Sequence, residues 1–104
     1  MSDLRKIHFA EIRNTLIGKR AVIHDRMRLF SPCTPRELSE QIGWDKCSTR
    51  PRCTELLQAG LLETTGIRRN GEHELRFVPL AVAEARAREV EQRAMTAQQM
   101  PLFV

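Results

Sequence analysis

Helix start and stop signals in the middle of the chain constrain the fold most, because they limit one helix to about two turns. Thr34 and Glu37 have the spacing of a capping box, in which each side chain accepts a hydrogen bond from the other residue's backbone amide. Pro35 would occupy the first helical position, where its missing amide costs nothing. Gly43 favours a left-handed helix end. The pattern predicts a short helix over 34–42.

A second helix is predicted after a tight turn, and Pro51 limits where it can begin. A proline in a helix interior costs about 3 kcal/mol, whereas the first turn tolerates it. The sequence therefore predicts Ser48 or Thr49 as the N-terminal cap. The helix would cover about 48–59 and end at Gly60.

After this helix the pattern changes from helical spacing to strand formers. Asn70-Gly71 is the strongest short signal for a two-residue hairpin turn. Strand formers lie on both sides of it, and Pro79 ends the second run. We therefore predict a β-hairpin over about 61–78.

Helical patterns flank this central segment on both sides. Residues 4–30 place apolar side chains on one helical face, and Gly18 leaves open whether they form one bent helix or two. Residues 80–95 contain no Gly or Pro and favour one helix. A stripe of small side chains on this helix suits close packing: Ala83, Ala87, Val90 and Ala94. The stripe fits either the N-terminal helix or a second subunit in a homodimer.

The predicted fold class is α+β and mostly helical, with one domain over 1–95 and a flexible tail over 96–104. A chain of 104 residues is long enough for one hydrophobic core. It has no apolar run that would span a membrane, and its first residues lack the apolar segment of a signal peptide. We therefore expect a cytoplasmic protein with reduced thiols and no membrane partner.

The type and position of the basic residues favour a polyanionic partner. The formal charge is +4, the pI is about 9.5, and fourteen of the seventeen basic residues are Arg. The planar guanidinium fits phosphates and the guanine edge, although Arg-rich chains are also common in GC-rich genomes. From Lys46 to Arg69 there are five basic and two acidic residues. All five basic residues lie at the start of the second predicted helix or at the hairpin tip.

The order of the predicted elements favours DNA binding. A short helix is followed by a tight turn, by a second helix with a basic start, and by a hairpin with Arg at its tip. The second helix would present its N-terminal residues to the major groove, and the hairpin tip would contact the backbone or the minor groove. The candidate DNA-binding residues are Lys46, Ser48, Thr49, Arg50 and Arg52 on the helix, and Arg68, Arg69 and Asn70 at the tip.

The same segment resembles the winged helix-turn-helix modules of bacterial and phage regulators and replication proteins. In that family a helix of the T-x-x-E-L-A type precedes a recognition helix that ends in E-L-x-x-x-G-L-I. Glu55-Leu56 and Gly60-Leu61-Leu62 match that ending. The resemblance implies a recognition helix, a hairpin wing and a double-stranded DNA partner, but it specifies no biological role.

Together these features favour a small bacterial or phage transcriptional regulator. Two other roles stay open: a replication or repair accessory protein, and a protein-binding module such as an inhibitor of host replication.

The C-terminal residues carry a second resemblance. Gln99-Met100-Pro101-Leu102-Phe103 resembles the Q-L-x-L-F peptide with which bacterial polymerases and repair factors bind the replicative sliding clamp. Gln99, Leu102 and Phe103 match outright, and Met100 replaces Leu with a similar apolar shape. The resemblance implies that these four residues bind the clamp. Alternatively, the apolar ones pack on the protein's own core or on a second copy.

The sequence offers little for catalysis or metal binding. Cys33, Cys47 and Cys53 lack the paired spacing of zinc ligands. There is no Gly-rich phosphate loop, no paired-carboxylate motif and no nucleophile elbow. We expect no enzymatic activity, no metal and no cofactor.

Overall fold

The computed structural model describes residues 9–99, with side chains over 12–94, and these residues form a mostly helical α+β fold. The N-terminal pattern forms two helices, not one bent helix. No helix in this range is long and apolar enough to cross a membrane. The elements in chain order are α1 (Phe9–Thr15), α2 (Gly18–Phe30), α3 (Pro35–Ile42), α4 (Lys46–Gln58), β1 (Leu62–Arg69), β2 (Glu72–Phe77) and α5 (Leu80–Gln99).

The capping box predicted at the start of α3 is confirmed. The backbone amide of Glu37 donates to Thr34 Oγ1 (3.2 Å), and the amide of Thr34 donates to Glu37 Oε1 (2.9 Å). Pro35 is the first helical residue, and Gly43 ends the helix in the left-handed conformation at φ 73°. The helix predicted over 34–42 is therefore present, with Thr34 as its cap.

The predicted start of α4 at Ser48 or Thr49 is wrong. The helix runs Lys46–Gln58 with Asp45 at the N-cap position, so Pro51 lies inside it. The amides of Ser48 and Thr49 both donate to the Asp45 carbonyl (3.0 Å each), and the Thr49 hydroxyl adds a third bond to it (3.1 Å). Pro51 removes one helical hydrogen bond, but its side of α4 is exposed and water can satisfy the carbonyl left over.

The hairpin predicted over about 61–78 is confirmed as the antiparallel pair β1 and β2. Asn70 and Gly71 form the turn with φ values of 53° and 81°, the positive values that a tight two-residue hairpin turn requires. The pairs at the base and at the tip are Leu62–Phe77 and Arg69–Glu72.

One hydrophobic core joins α2, α3, α4 and the hairpin. Cys33, just before α3, exchanges two backbone hydrogen bonds with Leu75 of β2 (3.0 and 2.8 Å). The core therefore holds the hairpin beside α3 and α4. Its buried side chains include Ile23, Met27, Leu38, Cys53, Leu56, Leu61, Leu62, Leu75 and Val78.

Helices α1 and α5 pack against each other at one end of this core. Ile12 of α1 and Ala83 of α5 are both buried, and Arg13 Nη2 donates to Glu84 Oε1 (3.2 Å). The first part of the predicted small-residue stripe thus lies against α1.

The second part of α5 differs from the prediction. The helix continues to Gln99, beyond the predicted end near residue 95, because residues 96–99 contain neither Gly nor Pro. Val90 and Ala94, which complete the stripe, are exposed among the side chains that the structure describes.

His24 is a buried ionisable group in the interior of the fold. The residue is 8% exposed, and Nε2 donates to the Val78 carbonyl (2.8 Å). The ring packs against Phe77 in a tilted arrangement, with centroids 4.6 Å apart. Burial lowers the pKa of His24 below its ordinary value of 6.5, against smaller opposing contributions from the Val78 carbonyl and Asp25. The folded protein therefore favours the neutral imidazole.

We predict that acidification destabilises the protein through His24. Because the folded pKa lies below the unfolded value, the unfolded chain binds the proton more tightly, and stability is lost as the pH falls below about 6.5. Urea titrations between about pH 7.5 and pH 5.5 should show a falling free energy of unfolding. His24→Gln should lose most of this slope, whereas the exposed His73→Gln should retain it. Equal slopes in His24→Gln and the wild type would contradict the assignment.

Candidate nucleic-acid interface

Helix α4 has one exposed face that no described element covers. Successive residues are rotated by about 100° around a helix, so the face is set by spacing along the sequence. Its centre consists of Cys47, Pro51, Thr54 and Gln58, all exposed. One edge, towards the hairpin, carries Lys46 and Arg50, and the other edge carries Ser48 and Arg52. The opposite, buried side consists of Thr49, Cys53 and Leu56.

Thr49, one of the predicted DNA-binding residues, does not lie on the surface. Its side chain is fully buried, and its hydroxyl donates to the Asp45 carbonyl at 3.1 Å. The hydroxyl therefore stabilises the start of α4 and cannot reach a ligand on the exposed face.

Arg50 reaches the tip of the hairpin. Its Nε donates to Glu72 Oε2 (2.6 Å), while Glu72 Oε1 accepts the backbone amide of Arg36 near the start of α3 (3.0 Å). Glu72 is mostly enclosed, with its side chain 14% exposed, whereas the Arg50 side chain is 53% exposed. The guanidinium of Arg50 is thus held against the protein at its Nε end only.

Arg52 points away from Arg50, towards α2. Its Nε and Nη2 donate to the two oxygens of Glu55 (2.7 and 3.0 Å), and Arg20 of α2 lies 3.7 Å from the same carboxylate. Arg52 lowers the pKa of Glu55 by hydrogen bonding. The two arginines predicted to act together therefore lie on opposite edges of the helix.

Arg69 forms the ionic centre of the hairpin tip. Its Nε and Nη2 donate to Glu37 of α3 (2.9 and 2.6 Å), and its Nη1 donates to Glu74 of β2. Glu74 is 6% exposed and also accepts from the Thr65 hydroxyl (2.6 Å). Hydrogen bonds from Arg69 and from the Thr34 amide lower the pKa of Glu37 to about 2. Arg69 has all three guanidinium nitrogens engaged within the fold, so its contacts are structural.

Arg68 and Asn70 lie at the exposed tip. Arg68 Nη2 donates to the Gly71 carbonyl (2.9 Å), and Asn70 occupies the turn with positive φ. Among the side chains over 12–94, neither Arg68 nor Lys46 has a carboxylate within ion-pair distance. These two are therefore cations of the hairpin tip and of α4 whose charge is not offset by a described neighbour.

Two exposed residues of α4 were missed by sequence reasoning. Thr54 and Gln58 lie in the centre of the exposed face, one and two turns after Arg50. The prediction placed its candidates only near a helix start at Ser48. Their i+4 and i+8 spacing from Arg50 could have identified them, because this spacing is the same whether the helix begins at residue 45 or 48.

A cleft separates α4 from the hairpin beside Arg50. Its volume is about 230 Å³, and its walls are mostly apolar. The lining residues include Pro35, Arg50, Leu57, Glu72, His73 and Leu75.

The cysteines provide no metal site in the part of the chain that the structure describes. No three His, Cys, Asp or Glu side chains of this part are grouped to hold a metal ion. Burial raises the pKa of Cys33 to about 11 and of Cys53 to about 12, so both are neutral thiols at neutral pH. Cys47 is an exposed free thiol on the α4 face.

The predicted clamp-binding residues lie outside the described side chains. Gln99 is the last residue of α5, and its side chain is not described. Met100, Leu102 and Phe103 follow beyond the described range.

Comparisons with family models, with curated proteins and with solved structures found no match to this chain.

The neighbouring arginines at the hairpin tip provide a test of this geometry. We predict that Arg69→Ala lowers the melting temperature by several degrees, because Glu74 is left enclosed without its cation and the tip no longer binds Glu37. Arg68→Ala makes the same chemical change one residue away and should cost less than about 0.5 kcal/mol. Thermal unfolding followed by circular dichroism compares the two. Equal melting temperatures would refute the structural role of Arg69.

Proposed function

We propose that this chain is a winged helix-turn-helix protein that binds double-stranded DNA. In this proposal α3 and α4 are the helix-turn-helix, α4 is the recognition helix and the β1–β2 hairpin is the wing. The observation that carries it is the exposed face of α4, which has an arginine on each edge and the hairpin beside it.

The connection between the helices supports this proposal. Only Gly43, Trp44 and Asp45 separate α3 from α4, which is the length of turn found in helix-turn-helix motifs. The left-handed Gly43 allows the chain to reverse, and the Trp44 amide then donates to the Ser39 carbonyl (3.0 Å). An α-helix with an exposed face fits the width of the major groove.

The cations of this region support a nucleic acid over a neutral protein partner. Lys46 lies in the first turn of α4, where the helix dipole also favours phosphate. Arg68 lies at the wing tip, where it would contact the backbone or the adjacent minor groove. Arg50 and Arg52 lie on opposite edges of the α4 face that would enter the groove.

For the biological role we propose transcriptional regulation in the cytoplasm of a bacterium or of a phage-infected cell. A regulator should bind one operator sequence with clear preference over random duplex.

The test is duplex binding by fluorescence anisotropy at several salt concentrations. Lys46→Ala with Arg68→Ala should weaken binding to random duplex and lower the slope of log K against log salt by about 2, because two phosphates are no longer neutralised. Arg28→Ala with Arg93→Ala removes the same charge from exposed positions on α2 and α5 and should retain the wild-type slope.

Two results would count against the proposal in different ways. If the two double variants have the same slope, the surface is assigned wrongly. If the wild type shows no salt-dependent duplex binding, the DNA-binding function is wrong and a protein-binding module is favoured.

A replication or repair accessory protein that binds the sliding clamp is the second candidate. The resemblance of the Gln99–Phe103 sequence to the clamp-binding peptide suggests it. We predict that a peptide of residues 95–104 binds the host clamp in calorimetry, and that Leu102→Ala with Phe103→Ala abolishes the heat. Absence of heat from the natural peptide at high micromolar concentration would rule out this candidate.

A further inference from the structure

We infer that Glu72 is a positioning residue that holds Arg50 as a reader of a guanine edge. This inference rests on the proposed DNA-binding function and concerns the same surface. The arginines of α4 and of the hairpin differ in which of their guanidinium nitrogens already donate hydrogen bonds within the fold. The inference starts from this difference.

Glu72 joins three elements through one carboxylate. It belongs to β2, its Oε1 accepts the Arg36 amide of α3, and its Oε2 accepts Arg50 Nε of α4. The Arg36 amide is part of the helix backbone, so this carboxylate has a fixed position relative to α3. Its side chain is only 14% exposed, which limits the competition of water for its hydrogen bonds. Arg50 is thereby fixed at one end by the rigid part of the fold.

The other end of Arg50 is available to a ligand. Among residues 12–94, no hydrogen-bond partner of Arg50 Nη1 or Nη2 is found, and the side chain is 53% exposed. These two nitrogens form the fork that donates to O6 and N7 of guanine in the major groove. Of the Arg50 nitrogens, Glu72 accepts only from Nε, so both nitrogens of the fork keep their donors available.

The paired arginines on the other edge of α4 and at the hairpin tip lack this property. Arg76 of β2 also donates only its Nε, to Glu63 (2.9 Å), but it lies near the base of the hairpin and not at its tip. Arg52 uses Nε and Nη2 on Glu55, which occupies one side of its fork. Arg69 uses all three nitrogens on Glu37 and Glu74. Arg50 therefore combines a fixed Nε with an unoccupied fork.

The charge of Glu72 favours a base over a phosphate as the ligand of Arg50. The carboxylate 2.6 Å from Nε offsets the positive charge and repels a phosphate brought to the same place. A guanine edge is neutral and presents two acceptors, so it accepts the fork without that repulsion. Fixing Arg50 before binding also reduces the side-chain entropy lost when DNA binds. Lys46 and Arg68, with no described carboxylate partner, are the residues suited to phosphates.

The experiment is selection of bound sites from a randomised duplex pool. The wild type should enrich a site with a preferred G·C pair that Arg50→Lys loses, because lysine keeps the charge but has no fork. Glu72→Gln should reduce discrimination at that same pair by about tenfold, the scale of one bidentate contact. Its affinity for random duplex should stay equal or rise, since a negative charge is removed.

The matched control is Glu89→Gln, which removes the same charge from an exposed ion pair with Arg93 on α5. It should leave the preferred sequence unchanged. Circular dichroism melting of Glu72→Gln should show a folded protein. Arg50→Lys changes the other residue of the same contact, and its side chain is more exposed than that of Glu72.

The outcomes separate the two proposals. If the wild type binds duplex but discrimination at the Arg50-dependent pair survives Glu72→Gln, the positioning role is wrong. If no pair in the selected site depends on Arg50, the assignment of Arg50 as a base reader is wrong. Both results leave DNA binding intact. If the wild type binds no duplex at low salt, the proposed function itself fails.

Discussion

The Glu37 carboxylate joins the local structure of α3 to the position of the hairpin. One of its oxygens completes the capping box by accepting the Thr34 amide, and both accept from Arg69 at the hairpin tip. A two-stranded hairpin is at best marginally stable alone, so β1 and β2 depend on the core at their base and on these ionic contacts at their tip. The α4 face acquires a neighbouring cationic loop only because the hairpin is held there.

Local signals in the sequence predict the parts of this fold whose interactions span only a few residues. The capping box involves Thr34 and Glu37, and the hairpin turn involves Asn70 and Gly71. In both cases the hydrogen bonds or the backbone conformation are determined within the motif. The predicted start of α4 is wrong because the prediction rests on the position of Pro51 alone. Three hydrogen bonds to the Asp45 carbonyl and an exposed location for Pro51 outweigh that preference.

Sequence patterns could not predict the ionic contacts of the candidate site. Arg50 and Glu72 are 22 residues apart, and Arg69 and Glu37 are 32 apart. No local spacing rule pairs such residues, because the pairing is determined by how the core places the hairpin against α3 and α4. The sequence identified which arginines lie near the surface. It did not distinguish an arginine whose nitrogens are all engaged, such as Arg69, from one that keeps two donors available, such as Arg50.

Net charge is therefore a poor guide to how this protein would recognise DNA. The formal charge of +4 counts every arginine equally, yet Arg50, Arg52 and Arg69 each have a carboxylate within 3 Å. An arginine paired in this way adds little long-range attraction to a polyanion, but it keeps any donors that the carboxylate leaves unoccupied. In the proposed complex, attraction to the duplex would rest on the few cations that have no carboxylate partner among the described side chains, and sequence preference would rest on donors with fixed directions. If the chain binds DNA as proposed, such a surface would gain less from phosphate neutralisation than its arginine content suggests, and more of the binding energy would come from contacts with base edges.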